Sequence, residues 1–362
     1  MQRPLAPTIL LTFAIAGCAT SGSTPQPSPS TGSATVPTAS SGTPAPASTP
    51  NATVALGPSM RVALDTSGPM VASDAGPKDH VWDLPATAAR DRDGGFVLFI
   101  VWFGDAAGDQ IVTVAHSDDG RHWQIGKDAI LDDLGMDLVR PMAIPSAGLQ
   151  LDDGTWRLYG WAAHRASSTS FTSWAASAPK PEGPWSLDAA SALDKGASGS
   201  WDSQTAAIGA VRRDGDGFVT WYEGQGPGNS ARGEIGYATS ADGLAWQKAP
   251  DPVIRRGICG AGTSVAITQP QVEGWSGGLA ALFAGTGDAD QRGDVFGATS
   301  VDGRTWTCAS TEPLLRADDI PGSQGIHTIA SVPLDGNRFE LIVESLAGNR
   351  SELWSAIVEV GP

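Results

Sequence analysis

The chain has 362 residues, a formal net charge of −16 and only 17% charged residues. That negative balance repels phosphate backbones and sets nucleic acid aside as a partner. Thirteen Trp and 45 Gly fit short strands and tight turns packed around large flat side chains.

The first 57 residues read as export signal and tether. Arg3 precedes the apolar run ILLTFAIAG, which is too short to span a bilayer and ends in Ile15-Ala16-Gly17-Cys18. Charge, apolar run, small residues and then Cys, in that order, resemble a bacterial lipobox. The resemblance implies cleavage after residue 17 and acylation of Cys18 by more than one chain, which stable anchoring needs. The segment after it, ATSGSTPQPSPSTGSATVPTASSGTPAPASTPNATVALG, carries no charge and almost nothing large and apolar. Such a stretch cannot offset its ordering entropy by burial. The expected division is a signal peptide at 1–17, a lipidated linker at 18–57 and a folded domain at 58–362. The protein is expected to be exported and lipid-anchored to the cell envelope, at the outer membrane or cell surface. It then touches membrane only through its lipid.

In the folded part, SMRVALD (59–65) reads as a strand. Apolar runs then recur behind Gly-containing turns: GGFVLFIVWFG (94–104), GTWRLYGWAAH (154–164), GFVTWYEGQG (217–226), GLAALFAGTG (278–287) and RFELIVESLAG (338–348). Each is preceded by a further apolar run, such as TAAIGAV (205–211) or HTIASV (327–332). Three units continue into S-x-D-G-x-x-W: Ser117 to Trp123, Ser240 to Trp246 and Ser300 to Trp306. Trp185, in SAPKPEGPWS, stands where a degenerate copy belongs, and the successive Trp intervals are 62, 61 and 60 residues. Asp-Gly is a hairpin-turn signal, Ser and Asp oxygens accept turn amides, and the Trp supplies an apolar anchor. The motif is therefore read as structural. Strand, turn, strand, loop, strand, motif, strand in about 60 residues is the unit of a propeller blade. Counting gives an all-β, five-bladed β-propeller of four-stranded antiparallel blades. The last unit ends at SELWSAIVEV without an outer strand, so residues 59–65 are expected to complete it.

Cys259 and Cys308 form an even pair in an exported chain, which favours a disulfide. No His/Cys cluster has metal-ligand spacing and no phosphate-binding Gly loop opens a helix. No cofactor is expected, a structural Ca²⁺ in the central channel is left open, and the chain is expected to be a monomer.

Five such units with YATSxDGxxW-like phrases resemble the superfamily of glycoside hydrolase families 43 and 32, over roughly residues 75–362. The best-matching stretch is 201–248. Sialidases carry one more residue before the Gly of their Asp box, and this chain lacks it. The resemblance implies a carbohydrate ligand and carboxylates where innermost strands begin, one protonating the leaving oxygen and another activating water or attacking the sugar. It assigns Asp83, in HVWDLPAT, to the general base and Asp202, in GSWDSQTA, to the aspartate that tunes the acid. No Glu stands at an inner-strand start. Glu223 and Glu344 each lie five residues after the Phe that opens a second strand, on the same expected rim. Glu223 is taken as the acid and Glu344 as a rim neighbour. Trp82, Trp201 and Tyr222 offer flat faces to a sugar, and Arg140 and His327 offer hydrogen bonds. The expected function is a surface-tethered glycosidase-like propeller. The alternative is a non-catalytic carbohydrate-binding or envelope lipoprotein that kept the fold without the acid.

Overall fold

The second run of each unit is rich in apolar residues because such a strand is covered on both faces by neighbouring sheets. FVLFIVWFG, for instance, is buried from Phe96 to Trp102. A computed structural model describes residues 56–361, except 73–75, 78–79, 105–109, 133, 139–142, 164–170, 228–232, 288–292 and 348–349. For residues 80–82 and 163 only the backbone is described. Cys18, Arg140 and the side chain of Trp82 therefore lie outside what is described.

The chain opens with β1 (Met60–Leu64). Sheet one follows, with β2 (His80–Arg90), β3 (Phe96–Gly104), β4 (Gln110–Ser117) and β5 (Gln124–Ile125). Sheet two holds β6 (Ile144–Gln150), β7 (Trp156–Ala163), β8 (Phe171–Ala178) and β9 (Ser186–Leu193). Sheet three holds β10 (Thr205–Asp214), β11 (Gly217–Gln225), β12 (Glu234–Ser240) and β13 (Gln247–Lys248). A single parallel pair, Thr205 with Phe171, links it to sheet two. Sheet four holds β14 (Ala266–Trp275), β15 (Gly278–Thr286), β16 (Asp294–Ser300) and β17 (Thr307–Cys308). Sheet five holds β18 (Ile326–Pro333), β19 (Arg338–Ala347) and β20 (Arg350–Val360), and β1 pairs antiparallel with β20 as its fourth strand. The first strands touch in a cycle: β2 with β6, β6 with β10, β10 with β14, β14 with β18, and β18 back with β2. This is a β-propeller, and the N-terminal strand closes its last sheet.

The repeated motif shows why the ring holds. In each copy the Ser hydroxyl accepts the Gly amide at 2.8–2.9 Å and donates to the Asp at 3.0–3.1 Å. The Asp in turn accepts two further amides, from Arg121 and His122, Leu244 and Ala245, or Arg304 and Thr305. The Gly takes φ of 71–75°, which an L side chain rarely adopts. At Gly303 a Cβ would also meet Trp221 of sheet three at 2.7 Å. The Trp residues reach the preceding sheet in the same way: Trp185 meets Phe99, Trp246 meets Tyr159 and Trp306 meets Trp221, all edge-to-face. The Trp at this place in the unit thus packs sheets two, three and four each against the sheet before it.

Cys259 and Cys308 are bonded, with Cα atoms 5.4 Å apart. Residues 56 and 57, just before the expected domain start at 58, also make contacts with the ring. Leu56 bridges to Cys308, and the Gly57 amide donates to the Cys308 carbonyl at 2.8 Å.

Candidate active site

First strands begin, and second strands end, on one rim of the ring. Thr205 pairs Gln225, Ile326 pairs Ser345 and Asp83 pairs Trp102. The inner strands also carry β-bulges, at Pro85/Thr87, Pro145/Ala147, Ile208/Ala210, Thr268/Gln271 and Ile326/Ile329. A bulge re-aims the side chains beside it. The bulge in β18 contains His327 and Thr328.

At the seam between sheets five and one, three of the sequence-predicted residues come together. Asp83 on β2 is 1% exposed. Its amide donates to Ser351 Oγ on β20 at 2.8 Å, and that hydroxyl reaches Asp83 Oδ1 at 2.7 Å. Asp83 Oδ2 is buried without a hydrogen-bond partner among the described residues. Burial pushes this carboxyl up to about 8; the Ser351 hydrogen bond opposes the shift and the negative charge of Glu344 adds to it. Glu344, 2% exposed, accepts from His327 Nδ1 at 3.0 Å and from Thr328 Oγ1 at 2.8 Å. The His327 side chain is 30% exposed. Burial works against its charge, but Glu344 outweighs that and holds its pKa above the ordinary value.

The surroundings of Asp83 favour its neutral form. A carboxyl whose pKa burial raises in this way is suited to give a proton. The physical cause is the apolar seam around it, which includes Leu98, Ile100, Trp102, Ile342 and Leu353.

Glu223 lies elsewhere on the ring. It turns toward sheet four, accepting from Gln225 Nε2 at 2.6 Å and from the Gln269 amide at 3.3 Å. Burial raises its pKa against those hydrogen bonds. Gln269 has φ 57° in the β14 bulge, a left-handed conformation that costs about 1–3 kcal/mol and concentrates at functional sites.

Asp202 and Asp83 share a Trp-Asp phrase but not a position. Asp83 sits within β2, whereas Asp202 precedes β10 and turns to the outer edge of sheet three. There it meets Lys248 Nζ at 2.6 Å, Tyr222 Oη at 3.1 Å and Ser200 Oγ at 2.8 Å. Burial opposes its charge, but the Lys248, Ser200 and Tyr222 contacts win and lower its pKa. Tyr222 reaches Asp202 from β11, where the next residue, Glu223, points to the opposite face. Asp202 therefore stands apart from the glutamate it was expected to tune. Tyr222 is fully buried, and Trp201 stacks on it at 5.6 Å while donating to the Pro250 carbonyl. These two rings pack the sheet edge rather than lining the rim. Lys248→Met should strand the buried Asp202 charge and cost about 2–4 kcal/mol in denaturant unfolding, with no effect on the seam.

Three residues of these clusters escape a reading of the sequence: Ser351, Thr328 and Gln269. Ser351 stands 268 positions from the Asp83 it binds, and no local pattern announces such a pairing. Gln269 has a weak signal, a Pro at 270 inside an otherwise strand-like run. Among the described residues no group of three or more His, Cys, Asp or Glu is placed to hold a metal ion.

No family model and no curated protein sequence matches the chain. Solved structures do. A putative glycosidase from Bacteroides thetaiotaomicron aligns over 82% of this chain and 96% of its own at 14% identity, with a TM-score of 0.61. A family 117 glycoside hydrolase from the marine bacterium Zobellia galactanivorans aligns over 84% and 92% at 15% identity, with a TM-score of 0.57. BT0996, solved in an RGII complex, aligns over 81% and 92% at 17% identity, with a TM-score of 0.61. The fold of this chain is that of the propeller glycoside hydrolases.

Proposed function

We propose that this protein is a saccharide-acting propeller, presented at the cell envelope through a lipid on Cys18, whose reacting groups are Asp83 and Glu344. The observation that carries the reading is the seam itself. Two buried carboxyl groups from different sheets neighbour each other, one with its pKa raised by burial and one engaged by His327 and Thr328. Glycosidic bond cleavage asks for such a division of labour. Asp83 Oδ2 gives its proton to the leaving oxygen, so the C–O bond breaks with both bonding electrons on that oxygen. Glu344 takes the proton of the attacking water as its oxygen bonds to the sugar carbon. His327, the most exposed of the three, orients Glu344 and hydrogen-bonds the sugar. Glu223 and Gln269 shape the rim across the ring.

A second reading is a binding propeller without turnover. The near-complete burial of Asp83 and Glu344 favours it, since a group that gives a proton must reach the substrate. Product release from a panel of arabinan, xylan, fructan and aryl glycosides separates the two. The hydrolase reading expects turnover, a fall of at least about 100-fold in Asp83→Asn and Glu344→Gln, and Asp202→Asn within a few-fold of wild type. Binding without products supports the second reading. Turnover that survives in both seam variants removes the assignment.

A further inference from the structure

A cleft of about 410 Å³ opens on the outer flank of the same seam, between the segment that follows β1 and the turn that joins β4 to β5. Its walls include Asp65 and Ser67 on one side, Arg121 and Trp123 on the other, with Ser355 of β20 between them. It is separate from the rim site. Ser351, which holds Asp83, and Ser355 lie four residues apart on one face of β20, about 13 Å along the strand. Leu353 lies between them, packed with Ile342 against Leu98 and Ile100. An apolar plug thus divides the seam into two polar ends.

The outer end is built like a site. Behind Ser355 stands Glu340, fully buried, with Oε1 hydrogen-bonded to the Ser355 hydroxyl and Oε2 without a partner among the described residues. The charges that act on Glu340 are those of the cleft and its turn: Arg121, Asp119 and Asp65. Arg121 is exposed, and its guanidinium makes no hydrogen bond or ion pair among the described residues. Trp123 presents part of its ring, and its Nε1 is likewise without a partner there.

We infer that this cleft is a second saccharide-binding site, distinct from the rim, that takes one or two uncharged sugar units. One cation and one anion face each other across it, with hydroxyls and an aromatic face between. Asp65 accepts and Arg121 donates, which suits vicinal hydroxyls, and the facing opposite charges largely cancel, so no net charge on a ligand is favoured. The volume is at the small end of ligand pockets, and the Trp123 ring supplies the apolar face on which a sugar ring stacks. The site gives a tethered propeller a second hold on a long chain, which raises its effective local concentration at the rim. The inference rests on the saccharide reading of the rim.

The test uses the full chain without its lipid on a microarray of plant, fungal and bacterial polysaccharides, with Asp65→Ala and Arg121→Ala singly and together, and Glu344→Gln as the rim control. Both cleft residues are solvent-accessible, and thermal melts confirm that the variants fold. The expected result is a loss of about five- to tenfold in apparent affinity for long polysaccharide in each cleft variant. Turnover of small aryl glycosides stays at the wild-type rate in those variants. Wild-type affinity in the double cleft variant overturns the second site and leaves the rim reading intact. A wild-type protein that binds no polysaccharide on the array overturns both.

Discussion

Asp83→Asn should make the protein more stable than wild type at pH 8, although it removes a residue assigned to catalysis. The carboxyl is raised from an unfolded value near 3.8 to about 8 in the fold. The folded state therefore holds a proton that the unfolded chain releases between those values. A raised acid of this kind contributes stability at low pH, and that contribution is lost as pH climbs through the window. A tenfold difference in acidity between folded and unfolded chain corresponds to about 1.4 kcal/mol, so wild type should lose several kcal/mol between pH 4 and pH 8 from this group alone. Asn keeps an acceptor for Ser351 and carries no charge, so the variant should lack that slope. Glu273 and Glu340 add to the trend, since burial pushes both up to about 7. The lowered aspartates act in the opposite sense, and only in acid. Asp202, held by Lys248, and Asp302, held at about 2 by the Thr305 and Arg304 amides, lose their contribution as pH falls below about 4. Melting curves from pH 3 to pH 9 should therefore peak between about 4 and 6. Parallel curves for wild type and Asp83→Asn would show that Asp83 is ionised in the fold.

Removing the Cys259–Cys308 bond should lower stability by about 4 kcal/mol, or roughly 10 °C in melting temperature. The bond closes a 49-residue separation, and the loss of that constraint enlarges the unfolded ensemble. Both cysteines are buried in the apolar layer between sheets three and four, among Phe296, Trp306 and Ile254. Cys308 also holds Gly57, ahead of β1, through its carbonyl. Cys259→Ser with Cys308→Ser should therefore loosen the residues just before β1 as well, read as faster amide exchange at Gly57. A change of less than about 1 kcal/mol would mean that packing alone holds this layer.

The ring was readable because its glue is local. Ser, Asp, Gly and Trp of each turn sit within seven residues, and their hydrogen bonds follow from turn chemistry that any copy must obey. The missing fourth strand of the last sheet was readable by subtraction, and β1 fills it. Asp83 and Glu344 are legible as carboxylates at the rim ends of strands, but the contacts around them are not. The raised pKa of Asp83 comes from burial among residues from two sheets, and its partner Ser351 is distant in sequence. The Trp-Asp phrase shared by Asp83 and Asp202 misled for the same reason. Two residues fix a local shape, whereas Lys248, 46 positions on, decides which way Asp202 turns. The same limit governs Trp201 and Tyr222, whose stacking on each other no local pattern announces.

The pH dependence of kcat/KM on the best substrate of the panel tests the central claim most directly. If Asp83 is the acid, the rate holds up to about pH 8 and falls tenfold per pH unit above it, and Asp83→Asn shows no such limb because it shows almost no rate. A rate that stays level to pH 10, or an Asp83→Asn variant that keeps wild-type turnover, contradicts the account.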